Sequence, residues 1–162
     1  MKFNIVVIGS GRNAHVDAFA ETIDLFRCAL EDLGHDVQVS SSVEPEPINL
    51  VFGYHLLEGR KLPEGYSYIL YQYEELLGGG WDLRVLNTLK GDYLVWDYSM
   101  DNIRVLRENG IEATHVPPGF HQKLFRIPQN ETKDIDILFY GSINERRKVI
   151  LEELSKRFTV KH

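Results

Sequence analysis

Phe3-Asn4-Ile5-Val6-Val7-Ile8 runs straight into Gly9-Ser10-Gly11-Arg12-Asn13-Ala14, and this stretch decides the fold. Phe3 to Ile8 reads as a continuous apolar and β-branched run ending at a glycine, which suits a strand buried on both faces, as in a parallel sheet. A loop follows. Phe19, Ile23, Phe26, Leu30 and Leu33 then recur at spacings of four, three, four and three. That spacing places them on one face of a helix, with Gly34 as its C′ residue.

The same alternation continues outward. His35 to Val39, Ile48 to Phe52, Tyr68 to Tyr73, Tyr93 to Trp96 and Ala113 to Val116 read as strands, broken by Pro45, Pro47, Gly78-Gly79-Gly80 and Pro117-Pro118-Gly119. Leu83, Leu86 and Leu89 suggest a short helix. Ser99 is placed to cap another, with Ile103 and Leu106 facing inward and Gly110 ending it. Apolar strands alternating with helices predict an α/β, Rossmann-like, doubly wound parallel sheet with right-handed crossovers. Residues 1–121 form this domain. Residues 122–133, with Pro128, Asn130 and Thr132 and no periodicity, read as a linker. Residues 134–162 hold a strand from Ile135 to Tyr140 and a helix opened by the capping-box spacing of Ser142 and Glu145, with Val149, Ile150 and Leu154 as its inner face. This last βα unit either joins the first sheet or begins a second domain.

The totals fit a globular protein: 162 residues, 43% hydrophobic and 26% charged. The net charge of −6 argues against nucleic acid as a partner, since a phosphate-backbone binder needs a basic face. It does not exclude a small anionic ligand, which backbone N–H groups at a helix start can hold. The one cysteine, Cys28, falls in the first helix pattern and reads as a buried thiol. No intrachain disulfide is possible, and neither a signal h-region nor a membrane span is evident, so a cytoplasmic location is expected.

Gly9, Gly11 and Ala14 fit G-x-G-x-x-A between a strand and a helix, the context of dinucleotide binding. The second half of that fingerprint is missing, because strand two ends in Ser40-Ser41-Ser42 with no acidic residue at its tip. A tight turn, a dinucleotide loop and a loop lining a substrate cleft all remain open readings. His55 follows the third strand directly, at the carboxyl end where proton transfer would be useful. His15 lies in the first loop. Gln72, Glu74 and Glu75 end the fourth strand, and one of the two carboxylates, Glu74 by preference, is expected to face the crevice. Gly141 and Ser142 precede the last helix, with Arg146 and Arg147 in its first turn. They either attract a diphosphate or form a capped helix with solvated arginines. The scattered histidines show no metal-ligand spacing.

Five strings together carry a resemblance: Asn49-Leu50-Val51-Phe52-Gly53-Tyr54-His55-Leu56-Leu57, Ile69-Leu70-Tyr71-Gln72-Tyr73-Glu74-Glu75-Leu76, Val95-Trp96-Asp97-Tyr98-Ser99-Met100-Asp101-Asn102, His115-Val116-Pro117-Pro118-Gly119-Phe120, and Asp136-Ile137-Leu138-Phe139-Tyr140-Gly141-Ser142-Ile143-Asn144-Glu145-Arg146-Arg147. Over roughly residues 48–158 the chain resembles bacterial GT-B-type glycosyltransferase-like proteins of polysaccharide and surface-glycan contexts. The resemblance implies an N-terminal acceptor domain, a C-terminal domain for a nucleotide-sugar donor, and an active site in the cleft between them. It implies a metal-independent transfer with no cofactor beyond the donor substrate. His55, Glu74 and His15 would then be catalytic. Gly9 and Gly11 would line the acceptor side, and Gly141, Ser142, Arg146 and Arg147 would face donor phosphates. It also implies that most of the donor domain lies beyond this chain, which would be inactive alone. A non-catalytic nucleotide- or glycan-binding module and a dinucleotide-dependent oxidoreductase are the competing readings.

Overall fold

A computed structural model describes residues 1–9, 19–57, 59–76, 83–128 and 131–162. The chain divides into two compact units, Met1–Phe125 and Arg126–His162.

The first unit contains six strands: β1 (Lys2–Val7), β2 (Asp36–Ser40), β3 (Ile48–Phe52), β4 (Tyr68–Gln72), β5 (Leu94–Asp97) and β6 (Thr114–His115). They form one sheet in the order β2-β1-β3-β4-β5-β6, parallel at every pairing. Among the described residues, three α-helices connect them: α1 (Ala20–Asp32), α2 (Leu83–Leu89) and α3 (Met100–Glu108). The α/β fold and the parallel Rossmann-like sheet expected from the apolar runs are therefore present.

Strand residues alternate between two cores, because successive side chains point to opposite faces. Phe3, Ile5, Leu50, Phe52, Ile69 and Tyr71 pack with Phe19, Ile23, Phe26 and Leu30 of the α1 region. Val6, Val51, Leu70 and Val95 pack on the other face with Leu86, Leu89 and Leu106 of α2 and α3. Cys28 is buried, as its place in the helix pattern predicted. Leu33 is a correction. It is 72% exposed, because it is the C-cap residue, where the chain has already left the helical path that kept its predecessors inward. Gly34 takes the left-handed conformation (φ 79°) expected of a C′ glycine.

Two asparagines interrupt the apolar strands. Asn4 and Asn49 are register partners on β1 and β3, both fully buried, and Asn4 Nδ2 donates to Asn49 Oδ1 at 3.0 Å. Asn4 also donates to the Ser42 carbonyl and accepts from the Ser40 hydroxyl. Asn49 accepts from the Glu44 amide and donates to the carbonyls of Glu44, Pro47 and Ser67. The pair thus satisfies loop backbone that would otherwise be buried unpaired.

The second unit holds β7 (Ile137–Leu138), α4 (Glu145–Ser155) and β8 (Val160–Lys161). β7 and β8 pair with each other in a separate two-stranded parallel sheet. Two expectations fail here. Asn144, not Ser142, caps α4, its side chain accepting from the Arg147 amide at 2.9 Å. The helix begins at Glu145, and a cap bonds the amide of its third helical residue, which from Asn144 is Arg147. Val149 and Ile150 are 64% and 46% exposed, and Leu151 is the buried residue of the helix. Two strands of two residues each cover a narrow strip of helix surface, too little to bury a full apolar face.

β1 lies between β2 and β3, so the strand order reverses there, and the crevice at the carboxyl ends of β1 and β3 is the topological switch point. The Ile8 amide donates to the Phe52 carbonyl at 2.8 Å across it. Gly53 follows with φ 71°, and a Cβ on it would stand 2.6 Å from the Ile8 carbonyl oxygen. Only glycine fits both constraints. Gly53→Ala is expected to cost at least about 2 kcal/mol, from the left-handed backbone and the overlap together. Thermal unfolding should show a Tm lowered by roughly 5 °C or more.

Candidate functional site

Parallel strands bring their carboxyl ends to one edge, so residues that follow β1, β3, β4 and β5 gather there. Gly9 follows β1. His55 lies in a 3-10 turn, Tyr54–Leu57, immediately after β3 and Gly53. Glu74 follows β4. The imidazole Nε2 of His55 stands 3.7 Å from Glu74 Oε1, with the side chains 20% and 41% exposed. Two of the three expected catalytic residues therefore meet. The third, His15, lies outside the described residues, as does Gly11.

The pair rests on buried polar groups. The Tyr54 hydroxyl donates to Gln72 Oε1 at 2.8 Å, and Gln72 Nε2 donates to the Glu74 carbonyl at 3.0 Å. Asn102, in the first turn of α3, donates to the same carbonyl at 2.7 Å and to Asp97 Oδ1 at 3.2 Å, while its Oδ1 accepts from the Leu76 amide at 2.8 Å. The Ser99 amide also donates to Asp97 Oδ1, at 2.7 Å. Ser99 caps α3 as expected, its hydroxyl accepting from the Asn102 amide. Gln72, Asp97 and Asn102 are all buried. Asp97 Oδ2 is buried with no hydrogen-bond partner among the described residues.

Burial pushes the Asp97 carboxyl up to about 6, against bonds from the Ser99 amide and Asn102 and the nearby His115, which pull it down. Burial raises the hydroxyls of Tyr54, Tyr71 and Tyr98, and the Asp97 charge adds to the rise in each, behind that of Tyr73 for Tyr71. Asp97, Asn102 and Tyr54 were not singled out from the sequence. A signal was present for Asp97, a carboxylate closing the apolar run Leu94-Val95-Trp96. Nothing local marked Asn102.

On the opposite face from Asp97, aromatic rings cross the sheet toward the same rim. Phe26 packs edge-on against Tyr71 (centroids 4.8 Å), Tyr71 against Tyr73 (5.7 Å), and Tyr73 against Tyr98 (5.4 Å). The Tyr71 hydroxyl donates to the Val116 carbonyl and fixes the end of β6. At the tip of β2, the Ser40 hydroxyl is committed to Asn4 and the Ser42 carbonyl.

In the second unit, Gly141 (φ 143°) and Ser142 precede the Asn144 cap. The Arg147 guanidinium donates to the Ser142 carbonyl at 2.6 Å and lies over the Phe139 ring, 5.6 Å from its centroid. Arg146 is exposed in the same turn. The structure thus braces Arg147 against the Gly141–Ser142 turn and leaves Arg146 toward solvent. No group of three or more His, Cys, Asp or Glu side chains suited to a metal ion occurs among the described residues, nor does a helix long and apolar enough to cross a membrane.

No protein-family model matches this chain, and neither a curated protein nor a solved structure matches it.

The folded chain binds a proton at Asp97 between about pH 4 and 6 that the unfolded chain has already released. The stability tied to this group is therefore present in full below the ordinary value of 3.8 and lost as pH rises through about 6. The loss amounts to about 3 kcal/mol. Asp97→Asn removes the titration. The Tm of the variant relative to the parent should rise between about pH 4 and 7; a difference constant with pH would contradict the buried charge.

Proposed function

We propose that the first unit, Met1–Phe125, is the acceptor-side domain of a GT-B-type, nucleotide-sugar-dependent glycosyltransferase acting on a glycan or related hydroxyl acceptor. The observation that carries this reading is the His55–Glu74 pair at the carboxyl edge of a parallel sheet, beside the switch point between β1 and β3. In open α/β sheets that edge is where ligands bind. The His55 imidazole takes the proton of the acceptor hydroxyl as the oxygen attacks the anomeric carbon. The bond from that carbon to the nucleoside diphosphate breaks, and the diphosphate leaves with the electron pair. Glu74 stabilises the imidazolium that forms.

The segment Gly141–Arg147 begins the donor half in this reading. Backbone amides at the start of α4 and the two arginines would meet the donor diphosphate, with Arg147 already oriented by Ser142 and Phe139. A complete donor half is needed for turnover, and no further cofactor is.

With its donor half complete, the protein should release nucleoside diphosphate from at least one nucleotide sugar when a glycan acceptor is present. Failure across a full donor panel would overturn the reading. His55→Ala should lower kcat by roughly 100-fold or more, the worth of one positioned general base. Arg147→Ala should raise the donor KM or lower kcat by roughly ten-fold, about one charge-assisted hydrogen bond. An unchanged kcat/KM would return Arg147 to a purely local role.

A further inference from the structure

The chemistry just proposed uses His55 and Glu74 but leaves the buried layer behind them unexplained. Residues Glu74–Leu76 form neither helix nor strand, so their backbone groups lack ladder partners and turn to side chains or solvent. Asn102 does this with every polar atom it has. It grips the Glu74 carbonyl and the Leu76 amide, two residues apart, while its remaining N–H is committed to Asp97. Asp97 is in turn held by the Ser99 amide. The Glu74 carbonyl is reached by a second route, from the Tyr54 hydroxyl through Gln72. Tyr54 is the residue before His55. Both members of the rim pair are thus tied to one carbonyl oxygen, His55 through Tyr54 and Gln72, and Glu74 directly.

We infer that Asn102, aligned by Asp97, is the positioning residue of the rim site, fixing the backbone of Glu74 and so the place of its carboxylate beside the His55 imidazole. This rests on the His55–Glu74 pair having the role proposed above. Asn102 itself touches neither side chain of the pair in the hydrogen bonds described, and its action is through the backbone. The constraint is geometric. A carboxylate that swings on a free loop spends its time solvated, whereas one on a gripped backbone keeps a short list of positions near the imidazole. Nothing about α3 folding requires this use of Asn102, since Ser99 already caps that helix.

The test is a carbon-detected NMR pH titration of the 162-residue chain, following the Glu74 carboxyl carbon and the His55 imidazole together. In the parent chain the Glu74 resonance should show a second inflection at the pH where His55 titrates, because neighbouring groups sense each other's proton. In Asn102→Ala that inflection should be lost while His55 still titrates. Ser99→Ala, which weakens the cap of the same helix, should lower Tm yet keep the inflection. If Asn102→Ala does not fold, Asn102→Ser is read in the same way, since its shorter hydroxyl brings no charge beside Asp97 and cannot span the Glu74 carbonyl and the Leu76 amide together. An inflection of parental size in the Asn102 variant, or its loss in Ser99→Ala as well, overturns the positioning role alone. Absence of the inflection in the parent chain overturns the rim pair, and the reading under Proposed function with it.

Discussion

The structure depends first on the buried amide pair of Asn4 and Asn49. A parallel sheet covered on both faces has no polar face to set its register, and apolar side chains slide past one another at modest cost. Two asparagines placed opposite each other, each with its remaining donors and acceptors taken by loop backbone, allow one register. Any slip would leave buried amides unpaired, at roughly 1–3 kcal/mol for each group. The same pair anchors the chain between β2 and β3 and the residue before β4. It therefore fixes the neighbours on both sides of β1, and with them the switch point.

A second buried polar network serves the opposite edge. Gln72, Asp97 and Asn102 sit where β4 and β5 end and α3 begins, above the core formed with α2 and α3. The division of labour follows from geometry. At the amino edge, polar side chains close the loops that feed the strands. At the carboxyl edge, they hold the loops that carry His55 and Glu74. Asp97 marks the tension in this arrangement, a fully buried carboxyl with, among the described residues, two donors on one oxygen and none on the other. Such a group weakens the fold at neutral pH, as burial of charge does, and strained or costly groups of this kind gather at functional edges.

The second unit follows different physics. Its two strands are short, its helix buries Leu151, and Leu138, Tyr140, Val149 and Phe158 are exposed. Its local order comes from hydrogen bonds: the Asn144 cap, the Arg147–Ser142 contact, and the Asp136 carboxylate accepting from the Thr159 amide.

Much of this was legible in the chain itself. Apolar runs such as Ile48 to Phe52 and Tyr68 to Gln72, separated by helical spacings, determine a parallel α/β sheet because they have no polar face to offer water. The helix-ending glycines Gly34 and Gly110 and the Ser99 cap are local chemistry and read correctly. A parallel sheet also forces His55 and Glu74 to one edge, so their meeting followed from topology. What tertiary structure alone decided is which polar residues are buried and with whom. Asn4 looks like a blemish in a strand until Asn49 stands opposite it, 45 residues away. Asn102 looks like an ordinary first-turn residue until its amide closes on the loop of Glu74, 28 residues away. Leu33, Ser142 and Val149 show the same limit from the other side, since a periodic or capping pattern says what a residue can do, and burial depends on what the rest of the chain brings against it. Hydrogen bonds between distant segments leave no period in the sequence, and here those bonds set the register at one edge and the site at the other.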